Sequence, residues 1–218
     1  MRSTNKYLCA SVSLCLIMLY TACSEDKVVY DIGEYKLDLA TVQFDNDKQA
    51  FLLDNNVLLL NGRDSKNVEA GQRVLLNYSY LEEISPGYDH VIKVNGIAVI
   101  TLGKLEGVNP VTIDTMTNKP IHLESAWIGS RYLNISFYMN FHSTKHSISL
   151  ITDKSKVDEE EIFIYFRHND YGDPPGSMHK IIASFDLSNV LEEPDGDRQL
   201  IVNINSSNYG EKDYLLKY

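Results

Sequence analysis

Residues 133–141 read LNISFYMNF, and this stretch decides the class of fold. Apolar side chains occupy every odd position, while Asn, Ser, Tyr and Asn occupy the even ones. Because successive side chains of a β-strand point to opposite faces of the sheet, this alternation predicts a long strand with one buried face. The second half of the chain is therefore expected to be built on a β-sheet.

Further runs in the second half have the same two-residue period. Residues 146–151 are expected to return as the partner of 133–141, and more strands are predicted at residues 162–166, 181–185, 200–204 and 214–218. Only residues 187–191 resemble a helical turn. Six or more antiparallel strands in a segment of this size predict a β-sandwich over residues 108–218.

The first half contains five or six shorter strands, which include alternating runs around Leu37 and Tyr78. Residues 54–56, Asp-Asn-Asn, predict one hairpin turn. Asn95-Gly96 predicts a second hairpin, since this dipeptide favours tight two-residue turns. The strand number and size predict an OB-like barrel over residues 28–107.

Gly and Pro at residues 107–110 predict the linker between the two domains, because both residues interrupt strands. The predicted fold class is all-β, with an N-terminal OB-like β-barrel followed by a C-terminal antiparallel β-sandwich.

The first 22 residues have the pattern of a removable secretory signal. Basic Arg2 and Lys6 precede an apolar run that is too short for a membrane-spanning helix. Cys23 and the small residues before it resemble the lipobox of bacterial lipoproteins, in which the cysteine is acylated and becomes the new N-terminus. Tyr20 departs from that pattern, which usually has Leu at this position. The alternative is an ordinary cleaved signal with an incidental cysteine.

Cys9 and Cys15 lie within this signal, so Cys23 is expected to be the only cysteine of the mature chain. A single cysteine forms no internal disulfide and no multi-thiolate metal site. Several acyl chains on Cys23 would give a stable membrane anchor, where one chain would not. Residues 23–27 would then form an acidic tether between the anchor and the folded body.

The charge of the chain excludes two classes of partner. Removing Arg2 and Lys6 from the 20 basic residues leaves 18 against 30 acidic ones, a formal charge of −12. General nucleic-acid binding requires a basic surface, so no nucleic-acid partner is expected. Electrostatic docking to anionic lipid is disfavoured for the same reason.

Several stretches together resemble the NigD-like lipoproteins of the Bacteroidota. The stretches that carry the resemblance are residues 71–76 (GQRVLL), 126–128 (AWI), 132–135 (YLNI), 164–169 (IYFRHN) and 184–188 (SFDLS). The resemblance implies an OB-like domain, a β-sandwich and an outer-membrane lipoprotein whose body faces the periplasm or the cell surface. In that context the acidic tether resembles a surface-export signal, although a solvated polar tether is the alternative. The family is named for a bacteriocin-associated operon, and it implies no enzymatic activity.

Residues 168–179 contain the densest polar cluster. Carboxylate and imidazole groups of His168, Asp170, Asp173 and His179 are candidate metal ligands, which suit zinc or, with Asn169, a hard cation such as calcium. The alternative is an inter-strand loop rich in turn-forming residues. The acidic loop at residues 192–197 is interpreted as a turn, and the acids at 158–161 as a solvated segment.

Other candidate sites are weaker. His142 and His146 are interpreted as surface histidines, although a hairpin could bring them together. Tyr78, Tyr80 and Tyr88 are interpreted mainly as packing residues, with a stacking platform as the alternative. Trp127 is expected to fill the sandwich core or the domain junction. Arg73 and Arg167 are expected to bury their stems and pair with acids.

Thr115 lies in Asp114-Thr115-Met116, which resembles an O-glycosylation motif of exported Bacteroidota proteins. No serine-hydrolase elbow or phosphate-binding glycine loop occurs, and no cofactor is expected.

These observations favour a non-catalytic cell-envelope lipoprotein. It would act as a binding or accessory module for an envelope protein, a peptide or a glycan. The alternatives are a metal-assisted hydrolase that uses the 168–179 loop and a bacteriocin-associated immunity or accessory protein.

Overall fold

The computed structural model describes residues 34–63, 66–155, 161–190 and 199–217. The predicted signal, Cys23 and the acidic tether lie outside these residues, as do the acids at 158–160 and the loop at 192–197. Within the described ranges the secondary structure is almost entirely β-strand. No helix in these ranges is long and apolar enough to cross a membrane.

Five strands form a closed barrel in the order β1-β2-β3-β5-β4. All neighbours are antiparallel except β3 and β5, which are parallel. The barrel core contains alternate residues of every strand, such as Val42, Phe51 and Leu76, each at most 1% exposed. The five strands are β1 (Lys36–Asp45), β2 (Lys48–Leu53), β3 (Leu58–Asn61), β4 (Arg73–Tyr80) and β5 (His90–Val99).

Eight strands form a second sheet in the order β13-β12-β10-β9-β6-β11-β8-β7. A single six-residue helix, α1 (Pro110–Thr115), follows β6 within the described chain, with Pro110 at its first turn. The strands are β6 (Thr101–Val108), β7 (His122–Gly129), β8 (Tyr132–Phe141), β9 (Ser147–Asp153), β10 (Glu161–Asn169), β11 (Ser177–Asp186), β12 (Gln199–Ser206) and β13 (Gly210–Lys217).

The eight-stranded sheet curls until its two ends meet. Ile121, just before β7, bridges to Ser206 at the end of β12, and its N–H donates to the carbonyl of Asn205 at 3.1 Å. The enclosed core is apolar and includes Phe137, whose ring meets that of Phe166 edge-on at 5.5 Å. The curled sheet therefore forms the two layers of a β-sandwich.

The predicted fold class is confirmed, but two details of the sheet differ from the prediction. Parallel pairs join β10 to β12, β6 to β11 and β6 to β9, so the sandwich is not wholly antiparallel. The strand at residues 146–151 pairs with β10 and β6 rather than with β8. A hairpin between β8 and β9 does not form because β11 and β7 occupy the two edges of β8.

The boundary predicted at residues 107–110 is wrong. Residues Thr101–Val108 form β6, whose pairing partners β9 and β11 belong to the sandwich. The chain therefore leaves the barrel at Ile100 and enters the second sheet directly, without a Gly or Pro break. The Gly and Pro at 107–110 mark the end of β6 and the start of α1 instead.

One of the two predicted hairpins is confirmed. Asp54, Asn55 and Asn56 form the turn between β2 and β3, and Asn56 has the positive φ of 65° that the turn requires. Asn95-Gly96, in contrast, lies within the continuous strand β5. The pairing with β4 skips Asn95, so this residue is the extra one of a β-bulge. Bulges and tight turns favour the same residues, which is why the prediction failed.

Candidate functional site

The barrel and the sandwich are joined by a buried arginine. Arg73 begins β4, and its side chain is fully buried although it points away from the barrel core, to the face opposite Val74 and Leu76. Its guanidinium binds the Asp54 carboxylate with two contacts, Nη1 to Oδ1 at 2.7 Å and Nη2 to Oδ2 at 2.9 Å. Two parallel contacts of this kind fix geometry as well as charge. The expectation that Arg73 pairs with an acid is therefore confirmed.

The sandwich completes the coordination of this ion pair. Arg73 also donates to Asn134 Oδ1 at 3.2 Å and to Ser184 Oγ at 3.3 Å. Asn134 donates from Nδ2 to Asp54 Oδ2 at 3.0 Å and accepts from Ser184 Oγ at 2.6 Å. The Arg73 guanidinium lies 4.1 Å from the centre of the Tyr132 ring. These contacts bury Asn134, and Ser136, which donates to Glu124, is buried as well, so β8 has two buried faces in its first half rather than the one predicted.

A glycine makes room for the acid. A Cβ atom on Gly129, at the end of β7, would overlap the carboxyl group of Asp54. The close approach of Asp54 to the sandwich therefore requires the absence of a side chain at this position.

A groove of about 350 Å³ opens beside the ion pair. Three consecutive residues of β1, Leu37, Asp38 and Leu39, line it together with Asp54 and Asn55 of the β2–β3 turn. The remaining walls are apolar and come from both domains: Leu53, Leu75, Trp127 and Ile182. The predicted place of Trp127 at the domain junction is confirmed, since it lies in this groove with part of its ring accessible.

A second polar cluster lies within the sandwich. His146 Nδ1 is 3.0 Å from His168 Nε2, and His146 Nε2 is 3.2 Å from Asp173 Oδ2. At the other end of this chain of contacts, His168 Nδ1 is 3.3 Å from the Lys119 carbonyl oxygen. The side chains of His146 and Asp173 are 3% and 1% exposed, so the interpretation of His146 as a surface residue is wrong.

The number of ring protons on the two histidines limits which hydrogen bonds this cluster can form. Its three contacts need three N–H groups, because an ionised carboxylate and a carbonyl only accept hydrogen bonds. Two neutral imidazoles supply two, so all three hydrogen bonds form together only when one of the two rings carries both of its protons. Burial lowers the pKa of His168, which keeps that ring neutral. Burial alone would raise the pKa of Asp173, but hydrogen bonds from backbone N–H groups of residues 142–144 and from His146 together hold it well below its ordinary value.

This cluster lacks the arrangement of a hydrolytic triad. The imidazole farthest from the carboxylate ends on a backbone carbonyl instead of a nucleophilic hydroxyl or thiol. The cluster instead ties together four segments: the Lys119 loop, the start of β9, the end of β10 and the 170–176 loop. Its geometry suits a structural role.

The structure separates the four predicted metal ligands. His168 and Asp173 are linked through His146, whereas Asp170 lies 3.6 Å from Lys119 Nζ and His179 packs edge-on against Phe141. Among the described residues, no group of three or more His, Cys, Asp or Glu side chains is placed to share one metal ion. The metal site stays a prediction without geometric support.

None of the remaining candidates lines the groove, although Tyr78 contacts one residue that does. Tyr78 is buried in the barrel core and donates its hydroxyl proton to Asp38 Oδ2 at 3.0 Å, and burial raises its pKa. Tyr80 is 43% exposed, while Tyr88 donates to Asp45. Thr115 is exposed at the end of α1 and donates to the carbonyls of α1.

Sequence comparison assigns the chain to a family. A model described as the NigD-like N-terminal OB domain matches residues 39–100, and one described as the NigD-like C-terminal beta sandwich domain matches residues 104–218. The chain belongs to the NigD-like family. The two NigD-like domains meet between residues 100 and 104, in agreement with the boundary at Ile100. No curated protein matches the sequence.

Solved structures share the NigD-like architecture. A protein of unknown function from Bacteroides vulgatus is 25% identical with a TM-score of 0.75, and the match covers 85% of this chain and 91% of that one. A protein described as toxin-related, from Parabacteroides distasonis, is 28% identical with a TM-score of 0.70, covering 85% and 93%. A NigD-like immunity protein from Bacteroides caccae is 18% identical with a TM-score of 0.60, covering 82% and 91%, which shows the shared fold alone.

We predict that replacing Arg73 by Met lowers the free energy of unfolding by about 3 kcal/mol, because Asp54 then lacks its buried counter-charge. Chemical denaturation measures this change. The double variant Arg73→Met with Asp54→Asn should recover part of the loss, since no charge is left unpaired. Arg63→Met removes an exposed ion pair with Glu83 and should change stability by less than about 0.5 kcal/mol. An equal effect of the two arginine substitutions would contradict the role assigned to Arg73.

We predict that the protein loses stability as the pH falls below about 6.5, the ordinary pKa of His. The folded-state pKa of His168 lies below that value, so the unfolded chain binds protons more readily and is favoured. A further loss should follow below the ordinary Asp pKa of 3.8, because Asp173 also has a depressed pKa. Denaturation at several pH values measures both.

The variant His168→Gln tests the first of these losses. An amide keeps a donor for the Lys119 carbonyl but does not titrate, so the decline between about pH 7 and pH 5 should be shallower. His122→Gln, at an exposed position, is the matched control and should leave the profile unchanged. Identical profiles for His168→Gln and the parent protein would contradict the assignment.

Proposed function

We propose that this NigD-like protein is a non-catalytic cell-envelope lipoprotein that binds another envelope component through the groove at its domain junction. The groove carries the proposal because it offers accessible apolar side chains, with Trp127 among them, next to a few fixed polar groups. This combination is typical of binding sites. The buried His146 cluster, by comparison, is fully engaged in contacts that hold the fold.

The envelope location rests on Cys23 and on the similarity to a protein from Bacteroides fragilis described as a lipoprotein, which shares the fold with a TM-score of 0.64. We predict that intact-mass measurement on cell membranes finds a chain that starts at Cys23 and carries acyl groups. Cys23→Ser should abolish acylation and release the protein from the membrane fraction. An unacylated chain in the culture medium would contradict the proposal.

Thr115 is the proposed glycosylation position, and its exposure on α1 supports this. The same mass measurement would show a glycan as an additional mass that disappears in Thr115→Ala.

We predict that the binding partner contacts the groove in living cells. A photo-reactive residue at Asn55, on the exposed part of the groove, should give a specific covalent adduct with an envelope protein, peptide or glycan. The matched control is the same residue at Tyr209, which is 55% exposed in the turn between β12 and β13. Protease treatment of the intact cells reports whether the body faces outward. Equal adducts at both positions, or none at Asn55, would contradict a site in the groove.

A bacteriocin-associated immunity function is the second candidate. It is favoured by the descriptions of two structural neighbours, one toxin-related and one a NigD-like immunity protein. Deletion of the gene should then increase sensitivity to a bacteriocin encoded nearby, and re-expression should restore resistance. Unchanged sensitivity would count against this function and leave the accessory function standing.

A further inference from the structure

The groove runs along an unpaired strand edge. Neighbouring side chains of a β-strand point to opposite faces, so three consecutive residues can line one groove only where the groove follows the edge of the strand. Leu37, Asp38 and Leu39 are consecutive, and all three line the groove. The groove therefore runs beside the backbone of β1 and is bordered by side chains from both faces of that strand.

The pairing of β1 shows why this edge is open. β4 pairs with one edge of β1 from Lys36 to Thr41. β2 pairs with the other edge only from Ala40 onward, because it ends at Leu53 and the chain turns away at Asp54. Within the described part of the chain, no strand continues β2 alongside residues 36–39. An unpaired edge of four residues offers about two N–H and two C=O groups to a partner.

We infer that an extended peptide segment binds in this groove as an added strand beside residues 36–39, in the position that β2 leaves open. This inference rests on the proposed function and specifies its ligand. Backbone hydrogen bonds to β1 would supply affinity, and alternate side chains of the peptide would enter the groove.

The walls of the groove specify those side chains. Leu37, which is exposed, and the half-buried Trp127 favour an aliphatic side chain, which would cover apolar surface that is now accessible to water. Asp54 is already neutralised by Arg73, but Asp38 receives only one described hydrogen bond, from Tyr78 to Oδ2. Its Oδ1 atom is available to a cation. The fitting segment therefore carries aliphatic residues on the face of Leu37 and Leu39 and a basic residue at the position between them, on the face of Asp38.

The site also differs from a typical sugar site. Sugars need several free hydrogen-bonding groups beside an aromatic ring, whereas Asp54 is engaged by the protein itself: Oδ2 accepts hydrogen bonds from Arg73 and Asn134, and Oδ1 lies in ion-pair contact with Arg73 Nη1. The aliphatic walls offer no replacement. The charge of the whole chain, −10, also favours a basic segment.

The test uses the acylation-free mature protein, complete in both domains, and the peptide acetyl-Thr-Thr-Leu-Arg-Val-Thr-Thr-amide, whose Leu and Val share one face and whose Arg lies on the other. Trp127 is the only tryptophan in the chain, so its fluorescence reports directly on the groove. We expect saturable binding that shifts the Trp127 emission. A peptide with Glu in place of Arg should bind at least about tenfold more weakly, because it meets Asp38 with like charge. A peptide N-methylated on alternate amides should lose binding, because it cannot pair with β1.

Matched variants separate the groove from a general effect of charge. Leu37→Arg places a positive charge at the edge and should weaken binding of the basic peptide by about tenfold or more. Leu215→Arg makes the same change at a leucine of equal exposure, 55% against 56%, on the edge strand β13. This control should bind like the parent protein. Thermal unfolding of both variants should match the parent, since both positions are exposed.

The outcomes distinguish the inference from the proposed function. Full binding by the N-methylated peptide would overturn strand addition. So would equal binding of the Arg and Glu peptides, or a Leu37→Arg effect no larger than that of Leu215→Arg. If no peptide shifts the Trp127 emission while the photo-reactive residue at Asn55 still gives its specific adduct in cells, the peptide inference fails and the groove keeps its function. If both fail, the proposed function fails as well.

Discussion

The ion pair between Arg73 and Asp54 fixes the relation between the two domains. A guanidinium removed from water is costly unless its hydrogen-bond donors are satisfied, and here one acid, one amide and two hydroxyl groups share that task. Half of these partners belong to the sandwich. Separation of the domains would therefore expose the buried charge or leave it without part of its hydrogen-bond partners. This cost favours one arrangement of barrel and sandwich over others that a purely apolar contact would tolerate.

The groove is a consequence of the same arrangement. β2 must end at Leu53 for the next residue, Asp54, to reach Arg73 and the sandwich. Among the described strands, residues 36–39 of β1 are then paired only with β4, and their second edge has no strand beside it. Gly129 contributes by clearing the space that the acid occupies. A single structural requirement thus produces both the rigid junction and the open strand edge beside it. A binding site on rigid strands needs little ordering when a ligand arrives, which lowers the entropic cost of association.

Local patterns in the sequence predicted the strands but not how they pair. The alternation in β8 and the Asp-Asn-Asn turn after β2 are set by neighbouring residues, so both were predictable. The partner of β8 depends on β11, which is about 40 residues away in sequence, and local periodicity contains no information on such pairing. The boundary was misplaced for a related reason. The chain passes from β5 to β6 without a change in composition, so only the pairing of β6 assigns it to the sandwich.

Some residues of the candidate site could also be predicted from local sequence. Burial of Trp127 and of the Arg73 stem was predictable, because a large aromatic side chain and an arginine within an apolar strand are usually packed against other residues. The role of Asp54 was not predicted because an Asp at the start of a hairpin turn is already explained by the turn. The burial of His146 was not predicted because its partners, His168 and Asp173, are 22 and 27 residues further along the chain. Asp54 and His146 both make contacts with residues far away in the sequence, and such contacts cannot be inferred from the neighbouring residues alone. The groove follows from the long-range contact of Asp54: the chain turns out of β2 at this residue so that its carboxylate reaches Arg73 at the domain junction, and the turn leaves one edge of residues 36–39 unpaired beside the groove.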